Sequence, residues 1–301
     1  MPELPDITVY VECLRRKLEG SSLEEIKLRS PFLLRTALPP WREAQGRQVV
    51  GVERLAKRIV IELSGEWFMV FHLMRLGRFR WIEAGSTKKG AGGKALLARF
   101  TFGGGTLVMT EQGSKKRASL HLVEGREGLA EHDRGGLEVL DCSFDDFRDA
   151  LTRKNHTIKR ALTDPRILSG VGNAYSDEIL HAAKMAPTKL TQKLPAEDLE
   201  RLFAATQAVL QRFTQRIREE VGDGFPTKVT AFRDDMAVHG RYGEPCPVCE
   251  APVQRIVYAD RETNYCARCQ NGGRRLADRA LSRLLGKDFP RTLDDLEEAR
   301  R

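Results

Sequence analysis

The chain opens Met1-Pro2-Glu3-Leu4-Pro5-Asp6. Removal of Met1 would leave Pro2 as a free secondary amine with the Glu3 carboxyl beside it. Such an amine is a nucleophile that no internal residue can supply, and an α-amino group is unprotonated to a useful extent near neutral pH. Many chains begin Met-Pro without using it, so this start gains weight only from what accompanies it.

Cys246-Pro-Val-Cys249 and Cys266-Ala-Arg-Cys269 are separated by sixteen residues. Two thiolates three positions apart grip one Zn²⁺ from a tight knuckle, and two such pairs close a tetrahedral site. A closed site has no open position for a reactant, so one zinc is expected as a structural ion. Val253–Tyr258 and Glu262–Tyr265 read as the arms of a β-hairpin between the pairs, with Arg261 at its turn. On spacing alone that arginine is either a solvated turn residue or a cation aimed at a ligand. Cys13 and Cys142 are isolated and read as small apolar residues.

A third cluster is Ile167-Leu-Ser-Gly-Val-Gly-Asn173-Ala-Tyr-Ser-Asp-Glu-Ile-Leu180. Glycines 170 and 172 make a tight connection between two helices, with Asn173 as the expected N-cap of the second. Close backbone approach onto a helix N-terminus suits a phosphate, though a plain helix–helix turn has the same pattern. The basic run Arg153–Arg160 just upstream, which includes Lys154, favours phosphate. Lys57, in Ala56-Lys57-Arg58 at a strand edge, would ordinarily be a solvated lysine.

These residues need a scaffold, and the chain supplies two kinds. Asp6 to Gly20 reads as an amphipathic helix capped by Asp6, with Ile7, Tyr10, Val11, Leu14 and Leu18 on one face. Short β-branched or aromatic runs follow: Leu23–Leu28, Val49–Leu55, Arg58–Leu63, Trp67–Leu73, Arg78–Ile82, Ala95–Phe102, Thr106–Thr110 and Ala118–Val123. With no helices between them they predict an antiparallel sandwich or barrel. Gly85–Lys94 reads as a mobile loop. From Ser143 the spacing turns helical, over Phe144–Thr152, Ile158–Leu162, Ala174–Ala183 and Ala196–Glu220. The fold class is therefore α+β. Its expected domains are a β-sandwich over 1–134, a helical domain over 135–228, the cysteine module over 229–273 and a charged tail over 274–301.

Composition narrows the partner. The 301 residues carry 50 Lys and Arg against 42 Asp and Glu, a net charge of +8, and the pI is near 9.3. This excess favours a polyanion. No apolar run approaches the roughly 20 residues that span a bilayer, and the acidic start lacks a signal-peptide pattern. A cytosolic or nucleoid protein is expected.

The Pro-Glu-Leu-Pro start, the Gly-Val-Gly-Asn segment and the four-cysteine finger, in this order, resemble the formamidopyrimidine-DNA glycosylase/endonuclease VIII family of bifunctional DNA repair enzymes. The resemblance runs from Pro2 to about Gln270. It implies an N-terminal β-sandwich, a helix–two-turn–helix domain and a zinc-finger hairpin acting on double-stranded DNA that holds a damaged base or abasic site, as a monomer in the bacterial cytosol. It also implies residue roles. Pro2 would attack the sugar C1′, expel the base and form an imine that permits strand scission by elimination. Glu3 would be the proton donor or relay, and Lys57 would contact phosphate and assist β-elimination. Arg261 would hold phosphate at the lesion and assist δ-elimination. Lys154, Asn173 and His72 would bind the DNA backbone, although His72 also suits an internal place in the sandwich.

Three departures leave the lesion open. Members specialised for oxidised purines fill the gap left by the flipped base with a methionine, an arginine and a phenylalanine. Here Met74 stands one place early in Met74-Arg75-Leu76-Gly77, and Thr110–Ala118 offers Lys115, Lys116 and Arg117 but no phenylalanine. Of these, Lys116 is taken as the DNA-binding candidate. Gly222–Tyr242 is short where those members carry a lesion-covering loop. The expected substrates are oxidised bases of the formamidopyrimidine/8-oxoguanine type, with an endonuclease VIII-like preference for oxidised pyrimidines as the alternative. A non-catalytic DNA binder would have no use for Pro2, Glu3 and Lys57 together.

Overall fold

The computed structural model describes residues 1–87, 92–227, 229, 233–258, 261–276 and 283–298. The chain divides into two compact units, Met1–Arg134 with Arg212–Ala231, and Gly135–Gln211 with Phe232–Arg301. The second part of the long helix is thus grouped with the N-terminal unit, where the sequence assigned it to the helical domain.

In the first unit, helix α1 (Leu4–Leu18) sends Ile7, Tyr10, Val11, Leu14 and Leu18 into the core. It begins earlier than Asp6. Glu3, in extended backbone, is the N-cap, Pro5 occupies the first turn, and the Asp6 carboxylate accepts the Glu3 N–H at 2.9 Å. Proline fits there because the first-turn N–H groups have no intrahelical partner. The helix start therefore fixes the backbone of the two residues that the sequence marks for chemistry.

Eight strands follow: β1 (Leu23–Leu28), β2 (Val49–Leu55), β3 (Arg58–Leu63), β4 (Trp67–His72), β5 (Gly77–Glu83), β6 (Leu96–Phe102), β7 (Gly105–Glu111) and β8 (Ser119–Glu124). They form two antiparallel sheets, β1-β6-β7-β5 and β2-β3-β4-β8. Both sheets feed one core, in which Phe71 meets Phe79 and Phe100 edge to face. Strand β4 is buried on both faces. Met69 and Phe71 point into that core, while Phe68 and Val70 join Val60 and Leu129 of α2 (Gly125–Ala130), a helix the sequence reading lacked. Residues 88–91 of the expected mobile loop lie outside the described residues.

The second unit contains α3 (Phe144–Thr152), α4 (Ile158–Thr163) and α5 (Asn173–Ala182). Ser143 and Asp146 cap α3 reciprocally. Helix α6 (Ala196–Val221) contributes residues to both units. The cysteine module holds β9 (Gln254–Tyr258), β10 (Arg261–Tyr265) and α7 (Ala267–Asn271). Its core includes Val253, Ile256 and Tyr265, and also Leu276 and Leu293 from the segment beyond the finger. The described residues of that segment include a short helix over Leu293–Glu298. No helix among the described residues is long and apolar enough to cross a membrane.

Candidate active site and nucleic-acid-binding residues

Pro2 and Glu3 are buried at the start of α1, Glu3 being only 2% exposed. The terminal amine, carried here by Met1, has its pKa held below the ordinary α-amino range, mainly by burial. Glu3 and Asp6 oppose that shift, and Arg78 and Arg75 reinforce it. A depressed amine pKa is what a nucleophilic amine needs near neutrality. Arg78 is anchored by the carbonyls of Arg75 (3.1 Å) and Gly77 (2.6 Å). Sequence reading missed it, since nothing in a strand arginine signals proximity to the N-terminus.

Lys57 lies in the two-residue turn between the paired residues Leu55 and Arg58, and Ala56 before it takes a left-handed backbone with φ 53°. Across the next ladder Arg58 pairs with His72. The His72 ring accepts the Met74 N–H on Nδ1 at 3.1 Å, so a neutral ring carries its proton on Nε2. Burial, with Arg58 and Lys57 nearby, lowers its pKa to about 4. His72 is thus a neutral donor beside two cations, and it also stabilises the turn 74–76. Gly77 closes that turn, because a Cβ there would lie 2.2 Å from the Leu73 carbonyl oxygen. The His121 and His132 rings lie nearby, centroids 4.6 Å apart and tilted 57° to each other, with Arg58 donating to the His132 carbonyl. Burial first, then His132 and Arg58, brings His121 to about 4 as well.

Lys116 is half-buried, and its ammonium is engaged by the Glu111 carbonyl. The buried Glu111 carboxylate accepts the N–H groups of Arg117 and Ala118, at 2.9 and 3.1 Å, and so closes the loop 112–117 from within. Lys115 and Arg117 remain exposed. Leu76, 45% exposed, packs over this loop, since a Cβ on Gly113 would lie 3.2 Å from Leu76 Cδ1.

In the second unit Lys154 is exposed on a loop pinned by Thr191. The threonine hydroxyl donates to the Lys154 carbonyl at 2.9 Å and accepts the His156 N–H at 3.1 Å. Asn173 is the first residue of α5, and Gly172 is the N-cap. The asparagine side chain faces the finger instead, donating from Nδ2 to the Glu262 carbonyl at 2.8 Å. Gly170, at φ 81°, supplies the left-handed turn ahead of it. Lys159 of the basic run turns inward, onto Asp177 Oδ1 (2.6 Å) and the Asn173 carbonyl (2.7 Å). Asp177 also meets His239 Nδ1 at 2.7 Å, and Glu178 accepts three successive N–H groups from Ala237 to His239. In sequence Asp177 and Glu178 look like ordinary helix-surface acids. The Arg261 side chain, with Ala259 and Asp260, lies outside the described residues; its backbone opens β10 against Tyr258.

Cys246, Cys249, Cys266 and Cys269 place their sulfurs within 4.8 Å of one another. A tetrahedron of sulfurs about 2.3 Å from one zinc has edges of about 3.8 Å. The Cys246–Cys269 and Cys249–Cys266 separations of 3.9 and 3.3 Å fit one structural zinc. His181 Nε2 lies 3.3 Å from Cys246 Sγ, an outer hydrogen bond of the kind that orients a metal ligand.

Family models match in three places. The formamidopyrimidine-DNA glycosylase N-terminal domain covers residues 1–128, its H2TH domain 137–220, and the zinc finger found in FPG and IleRS 243–272. A formamidopyrimidine-DNA glycosylase-like protein of Mycobacterium tuberculosis is 42% identical over 150 residues, which is 50% of this chain and 93% of that one. The formamidopyrimidine-DNA glycosylase of Thermus thermophilus is 31% identical, over 91% of this chain and all of its own length. Among solved structures, a Lactococcus lactis Fpg (MutM) bound to oxidised-pyrimidine DNA superposes with a TM-score of 0.76 at 26% identity, over 90% of this chain and 100% of its own. The chain belongs to the formamidopyrimidine-DNA glycosylase family of DNA glycosylase/AP lyase enzymes.

Proposed function

We propose that this enzyme removes oxidised bases from double-stranded DNA through an imine on Pro2 and then cuts the strand by β,δ-elimination. The observation that carries this reading is the Pro2-Glu3 start, buried immediately ahead of α1, in a chain that belongs to this glycosylase family. With Met1 removed, the Pro2 nitrogen attacks C1′ and the base leaves; the C1′–O4′ bond then opens to the iminium as O4′ takes a proton, for which Glu3 is the donor or relay. The iminium draws electrons from the C1′–C2′ bond region and acidifies C2′. Loss of a C2′ proton expels the 3′ phosphate, and a second elimination expels the 5′ phosphate.

Lys57 and the neutral His72 act on backbone phosphate in the first unit, and Lys154, Asn173 and Arg261 do so in the second. Phosphate contacts set position without reading sequence. The enzyme acts as a monomer in the bacterial cytosol, where the four metal-binding thiols stay reduced.

The loop 112–117 supports a broad lesion class. It presents no aromatic residue and is closed by Glu111, while Leu76 beside it is an exposed apolar side chain. Apolar wedges of this kind fill or unstack base steps. Leu76 takes that role here, which admits oxidised pyrimidines beside formamidopyrimidine and 8-oxoguanine substrates. The Lactococcus lactis relative, too, is known bound to oxidised-pyrimidine DNA. The test is a panel of duplexes, each with one lesion, scored for base excision by wild type and Leu76→Ala. Excision of oxidised bases that falls broadly in the variant supports the reading. Activity on none of them would remove it.

A further inference from the structure

Beyond the finger the chain builds a cavity of ≈ 670 Å³ lined by Arg274, Arg275, Gly286, Phe289, Arg291, Thr292 and Asp295. The family finger model ends at residue 272, so the lining lies outside it. The walls are tied to the finger. The Leu276 N–H donates to the Tyr265 hydroxyl at 2.7 Å, and Leu293 is buried in the finger core. Arg275 is held in place: Nε donates to Gln254 Oε1 at 3.0 Å, Nη1 to the Pro290 carbonyl at 2.9 Å, and the guanidinium lies 5.0 Å from the Phe289 ring centre. Its N–H meets the Arg291 carbonyl at 2.7 Å, and Arg274 bridges to Thr292, so the Arg274 and Arg291 segments run side by side.

Three arginines therefore line one cavity with a single acidic residue. Asp295 Oδ2 is engaged by the N–H groups of Arg291 and Thr292, each at 2.9 Å. Among the described residues, no ion pair within 4.0 Å neutralises Arg274 or Arg291, and both are exposed. Like charges gathered this way favour an anion, and guanidinium geometry suits phosphate oxygens. At ≈ 670 Å³ the cavity is much larger than one inorganic phosphate and has the volume for a stretch of phosphodiester.

We propose that the segment after the finger forms a second phosphate-binding site, in which Arg274 and Arg291, braced by Arg275, receive DNA backbone away from the damaged nucleotide. This rests on the reading of the chain as a DNA-acting enzyme.

The test uses the full-length, zinc-loaded protein and the Arg274→Gln/Arg291→Gln variant. Binding to an abasic-analogue duplex is measured over a series of salt concentrations. The log–log salt slope should become shallower by about 1.8, which is about 0.9 for each phosphate charge that the variant no longer neutralises. Excision on saturating damaged DNA should stay at the wild-type level. Arg148→Gln, whose charge is already matched by Asp145 and Asp149, should leave the slope unchanged. A shallower slope in a protein without excision activity would retain this site while removing the enzyme reading. Stabilisation by pyrophosphate is measured alongside. If the variant loses only that response, the site takes free phosphate compounds and the DNA-backbone proposal fails. If slope and pyrophosphate response both match wild type, the proposal is overturned.

Discussion

The side-chain amide of Asn173 donates to the main-chain carbonyl of Glu262 at 2.8 Å, so the first residue of α5 is joined to the finger strand one position after Arg261. Asn173 therefore helps to position the finger hairpin. Asn173→Ala should weaken duplex binding roughly fivefold and retain zinc, since a hydrogen bond of this kind contributes about 1 kcal/mol. Parallel binding and metal assays check it. Binding at the wild-type level would show that the link is incidental.

The zinc site has an outer partner in His181. Cys266→Ser should lose the metal and unfold the module. His181→Ala should keep it, with affinity lower by about 10–100-fold, the usual cost of removing an outer-sphere hydrogen bond. Competition with a chelator measures this directly, without reference to catalysis.

His72 and His121 are neutral in the fold, with pKa values near 4 against 6.5 for an ordinary imidazole. Between these values the unfolded chain binds more protons than the native one. Stability should therefore fall as pH drops from about 6.5 toward 4, and the histidines should have no effect above that window. Each contributes a slope of at most about 1.4 kcal/mol per pH unit. His72→Gln and His121→Gln should each flatten the curve, as read by urea unfolding at several pH values.

The buried Lys159–Asp177 pair predicts an asymmetry. Asp177→Ala leaves the Lys159 ammonium unbalanced and should cost about 3–5 kcal/mol, whereas Lys159→Met with Asp177→Leu should cost much less. Urea midpoints of the single and double variants separate the two. Equal losses would mean that the pair's charges are not what matters.

The two sheets were legible because short alternating runs between turn residues leave few other folds, and the Cys-x-x-Cys spacing stated the metal site outright. Local competition was not legible. Asp6 and Asn173 are both good N-caps, yet Glu3 and Gly172 hold those positions, because Pro5 sets the first turn of α1 and Asn173 is drawn to the Glu262 carbonyl. Lys116 read as a DNA-binding candidate, and nothing in its spacing told that its ammonium meets the Glu111 carbonyl in a loop that the buried Glu111 folds inward. The contacts of Asp177 with His239, of Glu178 with Ala237 and of His181 with Cys246 are separated by 59 to 65 residues in sequence, and no spacing rule reaches that far. The tail read only as charged, since its few apolar anchors, Leu276 and Leu293, show no period.

The proposed chemistry depends first on the amine of Pro2. Protein whose N-terminal mass shows that Met1 has been removed is incubated with abasic-site duplex and borohydride, and the adduct is mapped by peptide mass. The expected result is a covalent link at residue 2, lost in Pro2→Gly on damaged-base DNA while duplex binding is kept. In Glu3→Gln, base excision should collapse with affinity held. A stable adduct mapped to an internal lysine, or no adduct with correctly processed protein, would contradict it.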